Sequence, residues 1–164
     1  MAAALLCAGP AMAEPNARDL AVATRAIGFL EPKLSGPTVV AVVYGAGDGA
    51  SEADANAIAH GLSAASLGGV SFKPQLVAST DLAAIARARV VFVAAKTPNR
   101  AAVFGASSKA HAVTISFDMG CVDAGQCVVG VSTEPKVAIV VSRAARQASE
   151  VKFSQAFLML VTEQ

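Results

Sequence analysis

A chain of 164 residues suits one compact domain with a sizeable core. Its 54% apolar and 15% charged residues, with much alanine, point to tight helix-on-sheet packing, and no run of ~20 apolar residues offers a membrane span. A net charge of +1, with 13 scattered Lys and Arg, argues against a nucleic-acid surface; the arginine pairs Arg87/Arg89 and Arg143/Arg146 read as helix-end caps or solvated groups.

Residues 1–13 read as a signal peptide: an apolar stretch, then Ala11-Met12-Ala13 as a small-x-small cleavage site before Glu14. Cys7 follows Leu6, where a lipoprotein signal wants a small residue, so lipidation is not expected. The mature product is then an exported, periplasmic protein made of a single α/β domain over residues 17–164.

Leu20, Ala23, Ile27 and Leu30 recur at helical spacing over residues 17–30, and Pro32 ends the run. Gly36-Pro37 leads into the β-branched run TVVAVVY, residues 38–44, which has the character of a buried strand. A glycine-containing turn, residues 45–49, precedes a helix that Ser51 opens with Asp54 as its capping partner. Ile58, Leu62 and Ala65 form that helix's inner face, and Gly68-Gly69 stop it. Residues 70–77 form a second strand, with Pro74 confining it to an edge or a bulge. Ser79-Thr80-Asp81 caps a short helix carrying Leu82 and Ile85. VVFVAA, residues 90–95, is a central strand, and Thr97-Pro98 opens a helix that runs to about Lys109.

Residues 112–141 organise the rest. Apolar runs at 112–117, 128–131 and 137–141 read as strands, separated by a loop holding Cys121 and Cys127 and by a turn at Glu134-Pro135. A final helix places Phe153, Phe157, Leu160 and Val161 on one apolar stripe. Leu158 and Met159 fall off that stripe and are candidates for a homodimer or partner surface. Successive β-α units followed by these strands imply a three-layer α/β fold: a mostly parallel sheet, helices on both faces, and an antiparallel strand pair near the C-terminus.

In an oxidising compartment the two remaining cysteines read as a structural disulfide, Cys121–Cys127, worth roughly 2 kcal/mol for so short a loop. The competing readings are a zinc site, which needs two more ligands where only the distant His60 and His111 exist, and a redox pair, whose C-x-x-C spacing is absent. Gly45, Gly47 and Ala50 fit a dinucleotide-binding fingerprint loosely. Asp48 would set negative charge beside a pyrophosphate, however, and no acid follows at the expected distance, so a plain strand-to-helix turn is favoured. His60, His111, Ser116, Ser132 and Thr133 stand in no catalytic spacing, and Asp118 and Asp123 read as solvated loop acids. The sequence therefore assigns no catalytic residue, cofactor or metal and reads as non-enzymatic.

With the opening helix ATRAIGFLEP, the strands TVVAVVY and RVVFVAA, and the closing TISFD … KVAIVVSRAARQASEVKFSQAFLML in place, the chain resembles the YfiR-like family of small exported bacterial proteins. The resemblance implies a periplasmic regulator that restrains a membrane diguanylate cyclase, with the external domain of an inner-membrane signalling protein as partner. The chain departs from that family at Leu30-Glu31-Pro32, where the family has an aromatic Trp-Pro, and in the Cys121–Cys127 loop, where a glycine-rich segment is common. Residues 37–96 also resemble one lobe of an ABC-transporter substrate-binding protein of the sugar or amino-acid type. That alternative implies a small-molecule-binding component, with only one lobe's worth of chain for a cleft.

Overall fold

The computed structural model describes residues 15–164; the expected signal peptide and Cys7 lie outside them. The chain opens with α1 (Ala17–Ile27), capped by Asn16, whose side chain accepts from the Arg18 and Asp19 N–H groups while Asp19 reaches back to the Asn16 N–H. Leu30, expected at the end of this helix, belongs instead to the two-residue strand β1 (Leu30–Glu31), although it is buried as its spacing implied.

The sheet then builds through β2 (Gly36–Tyr44), α2 (Gly49–Ala64), β3 (Ser66–Leu67), β4 (Val70–Ala78), α3 (Leu82–Ile85) and β5 (Val90–Val93). It continues through α4 (Arg100–Lys109), β6 (Val113–Ser116), α5 (Met119–Asp123), β7 (Val129–Ser132) and β8 (Ala138–Val141). The chain closes with α6 (Arg143–Ala148), β9 (Lys152–Phe153), α7 (Gln155–Leu158) and β10 (Thr162–Glu163). Eight of these strands form one sheet in the order β10-β8-β7-β6-β5-β2-β4-β3, while β1 and β9 pair separately. The neighbours from β4 to β7 are parallel, and β7 and β8 are antiparallel across the Glu134-Pro135 turn. This is the expected three-layer, mostly parallel α/β architecture.

β5 and residues 40–43 of β2 are apolar at every position because they are covered on both sides. Val40 and Val42 of β2, with Val90 and Phe92 of β5, pack into a core under α1 and α2. The intervening Ala41, Val43, Val91 and Val93 face a second core with Ile85, Val103 and Val122. Alternate side chains of one strand thus serve two layers. Pro74 sits in β4 opposite Val40 of β2, and β3 covers only Val70 and Ser71 on the other side. The proline therefore stands where β4 is effectively an edge, the position its missing N–H tolerates.

Four local expectations are corrected. Asp48, not Ser51, caps α2: its carboxylate accepts from the Ala50 and Ser51 N–H groups at 3.0 Å each, and Glu52 takes the reciprocal role by accepting from the Gly47 N–H. Gly68-Gly69 is a hairpin turn between β3 and β4 rather than a helix stop, and both glycines have positive φ (31° and 83°), as a two-residue hairpin turn requires. Thr97-Pro98 does not cap α4; Asn99 occupies that position in the left-handed conformation without a side-chain capping bond. The long final helix is absent. Phe153 lies in β9 opposite Leu30, α7 is a single turn, and β10 adds to the sheet beside β8. Phe157 is 2% exposed whereas Leu160, expected on the buried stripe, is 80% exposed. Of the candidate interface pair, Leu158 is partly buried against the core and Met159 is 73% exposed.

Candidate functional site

Strand β2 lies between β4, which follows it in sequence, and β5, which comes later. The chain leaving β2 passes to α2 on one face of the sheet, and the chain leaving β5 passes to α4 on the other. Outside the carboxyl ends of the strands at such a switch point is the crevice in which open α/β sheets bind ligands. Its two lips are residues 45–48 and residues 94–99.

The lips are locked together. The Ala94 N–H donates to the Val43 carbonyl at 2.9 Å, and the Thr97 hydroxyl lies 3.1 Å from that same carbonyl and 2.8 Å from the Ala94 carbonyl. These bonds explain why Thr97 cannot cap α4: its hydroxyl is turned into the sheet. Asp54, which the sequence suggested as a capping partner, projects from α2 and accepts from the Ala95 N–H at 2.6 Å. The buried Ser51 hydroxyl accepts from the Gly45 N–H at 2.9 Å. Gly45 is required for space: a Cβ there would stand 2.7 Å from Cδ of Pro98.

The second lip carries Lys96 (φ 54°) and Asn99 (φ 56°), two non-glycine residues in the left-handed region within four positions. Such conformations cost on the order of 1–3 kcal/mol each and concentrate at ligand sites. The helix ends facing the crevice differ in charge. The amino end of α2 is filled by Asp48, whereas α4 begins without a side-chain cap. An anion therefore meets repulsion at α2, and at α4 a helix start that no side chain caps. Arg100, at the start of α4, donates to Asp118 at 2.6 Å and to the Thr97 carbonyl at 3.2 Å. Asp118 also caps α5 by accepting from the Gly120 N–H, so it is a structural anchor rather than a solvated loop acid.

Beside the crevice, on the α2 side, a pocket of about 160 Å³ is lined by Tyr44, Glu52, Ala55, Asn56 and Leu76. One Glu52 oxygen is occupied by the Gly47 N–H. The Tyr44 hydroxyl has no hydrogen-bond partner among the described residues. No sequence motif singled out these five residues. The available signal was positional, since Tyr44 ends the first long strand and Glu52 and Asn56 lie one turn apart on the helix that follows.

The other sequence candidates lie elsewhere. Cys121, in α5, and Cys127, just before β7, are fully buried with Cα atoms 5.3 Å apart, at disulfide distance. His60 and His111 are both exposed; His111 lies 3.5 Å from Glu150, and no group of three His, Cys, Asp or Glu able to hold a metal converges among the described residues. Ser116 donates to the Val93 carbonyl, Thr133 to Asp19, and Ser132 to the Glu134 carbonyl, so each hydroxyl serves the fold. Asp123 accepts from the Gln164 amide. Arg143, its side chain 61% exposed, and Arg146, in the last turn of α6, also bracket Glu163 of β10, at 3.7 and 2.6 Å.

The chain matches no family model and, by sequence, no curated protein. Solved structures do resemble it. The ABC domain from Streptococcus pneumonia, determined in complex with L-Trp, aligns with TM-score 0.62 at 11% identity, over 91% of this chain and 60% of that one. A conserved domain protein from Vibrio cholerae O1 biovar El Tor aligns with TM-score 0.62 at 13% identity, over 88% of this chain and 59% of that one. Identities this low establish the α/β fold alone, and the chain spans about three-fifths of each neighbour's length.

Proposed function

We propose that this chain is an exported, non-enzymatic small-molecule-binding component, equivalent to one lobe of a substrate-binding protein of the ABC-transporter type. The observation that carries the reading is the Tyr44–Glu52–Asn56 pocket beside the switch point between β2 and β5. The likeness in fold to a domain solved with L-Trp supports it.

The ligand class that fits is an amino acid or a similar small zwitterion. The pocket sets a carboxylate, an amide and a phenol beside Ala55 and Leu76, which suits an ammonium group with a modest apolar portion. The uncapped start of α4 suits a carboxylate. At about 160 Å³ the pocket lies below the usual range of roughly 300–1,000 Å³, as expected of half a cleft that a second lobe or a second copy would complete. Titration calorimetry of the purified chain against the common amino acids and simple sugars tests the proposal. Saturable binding of an amino acid, weakened by Tyr44→Phe and by Asn56→Ala, is the expected result. Absence of saturable binding across that panel refutes the reading.

The regulator reading, with the external domain of an inner-membrane signalling protein as partner, has one observation in its favour: the adjacent exposed pair Met159 and Leu160. Co-precipitation from membranes that Met159→Ser abolishes, with no amino-acid binding, would favour it.

A further inference from the structure

We infer that the opposite end of the sheet carries a second site, a groove that binds a small, multiply charged oxyanion. The groove lies at the amino ends of β2 and β5, with a volume of about 390 Å³, inside the range of roughly 300–1,000 Å³ typical of small-molecule pockets. Its walls are the segments 32–35 and 37–39 on one side and Arg87 and Arg89 on the other. Lys33, Arg87 and Arg89 supply three positive charges, and among the described residues no acid lines the groove.

These three cations, like Arg18 and Arg25 elsewhere, take no part in the ion pairs that hold the fold. Arg100, Arg143 and Arg146 are all ion-paired, whereas Lys33, Arg87 and Arg89 form no ion pair among the described residues. The two arginines are also held in place. Val40 pairs with Val90 in parallel register, which brings the segment entering β5, with a turn at Arg87 and a bend at Arg89, alongside the start of β2. The Arg89 carbonyl accepts from the Val113 N–H at 3.2 Å, and the Arg87 N–H donates to the Ala84 carbonyl at 3.2 Å. Pro32 and Pro37 restrict the facing wall.

Two guanidinium forks can each take a carboxylate or phosphate edge through paired N–H donors, with the lysine ammonium as a third, mobile donor. Three convergent charges select a ligand bearing at least two negative ones. Among the described residues, the nearby acids Glu31 and Glu150 line an adjoining pocket of about 90 Å³ that shares Arg89. They bound the anion site on that side. The charges converge on one groove rather than spreading along a stripe, which favours a small ligand over a nucleic-acid backbone or a membrane surface. This site is independent of the amino-acid site and stands or falls separately.

The test is titration calorimetry at low ionic strength with pyrophosphate and with citrate, alongside sedimentation with phosphatidylglycerol vesicles. Saturable one-to-one binding of either soluble anion is expected, weakening as salt rises. The Arg87→Gln/Arg89→Gln variant should lose at least about tenfold in affinity, the consequence of removing charge-assisted contacts. Lys33→Gln, on the other wall, should also weaken binding, and Arg18→Gln, on α1, should not. All three positions of the groove are exposed, so melting temperatures should stay at the parent value. No saturable binding of either anion, equal weakening by Arg18→Gln, or binding to the vesicles alone overturns the proposal.

Discussion

Replacing Gly45 by alanine tests whether the two lips of the crevice form one rigid unit. The added Cβ would lie 2.7 Å from Pro98 Cδ and 3.6 Å from the Lys96 carbonyl oxygen. Ordinary carbon–carbon contacts stand at roughly 3.5–4.0 Å, so the lips must part by about 1 Å. A proline ring cannot rotate away, and its loop is tied by the Ala94 and Thr97 bonds to Val43 and by the 2.6 Å bond from Ala95 to Asp54. Overpacking of this kind costs about 1–3 kcal/mol. The lower entropy of the unfolded alanine chain returns about 0.4–1 kcal/mol. The net expectation is a loss of about 1–2 kcal/mol, or a melting temperature lower by about 2–8 °C for a domain of this size. Thermal unfolding followed by circular dichroism reads the shift directly. Because the clash is with Pro98 Cδ, Pro98→Ala should relieve it, and the double variant should be more stable than the sum of the singles implies by about 0.5 kcal/mol or more. A Gly45→Ala variant within about 0.5 kcal/mol of the parent, or strict additivity with Pro98→Ala, would refute the interlock.

Asp54→Ala removes the carboxylate that accepts from the Ala95 N–H and should lower stability by about 1.5–3 kcal/mol in urea unfolding; a neutral result would mean that the second lip is held without it. Phe157→Ala deletes the ring stacked on Phe29 at 5.0 Å and tilted against Phe153 at 4.9 Å and should cost about 3–5 kcal/mol, whereas Met159→Ala should leave the monomer's melting temperature nearly unchanged. Equal destabilisation by the two would show that Met159 is packed in solution. Free-thiol titration of mature protein under denaturing, non-reducing conditions should find none, and reduction should lower stability by roughly 2 kcal/mol. Two reactive thiols would remove the Cys121–Cys127 bridge.

The layered α/β core was legible because its signal is local. A strand buried on both faces is mostly apolar, and the runs at residues 38–44 and 90–95 announce this without reference to any partner. The antiparallel turn at Glu134-Pro135 and the edge position of Pro74 followed from what proline can and cannot do in a sheet. The closing segment misled for an equally physical reason. Phe153 and Phe157 are both buried, as helical spacing demands, but Phe153 is held by pairing with Leu30 more than a hundred residues earlier. The last residues are drawn onto β8, where the Gln164 N–H bonds to the Val141 carbonyl and Glu163 meets Arg143 and Arg146. No local pattern encodes partners so distant in sequence.

The candidate sites divide the same way. The sequence by itself determined which residue types stand at the strand ends: the glycines after β2, the Lys96-to-Asn99 run after β5, and the arginines before it. Only tertiary structure decided their roles. It chose Asp48 over Ser51 as the cap of α2, which freed Ser51 and Asp54 to tie the two lips of the crevice. It turned the Thr97 hydroxyl into the sheet and left α4 open. It also placed Arg87 and Arg89 opposite Lys33, because β2 and β5, some fifty residues apart in sequence, lie side by side in parallel register. Strand order is set by which apolar faces can be covered at once, a property of the whole chain rather than of any window along it.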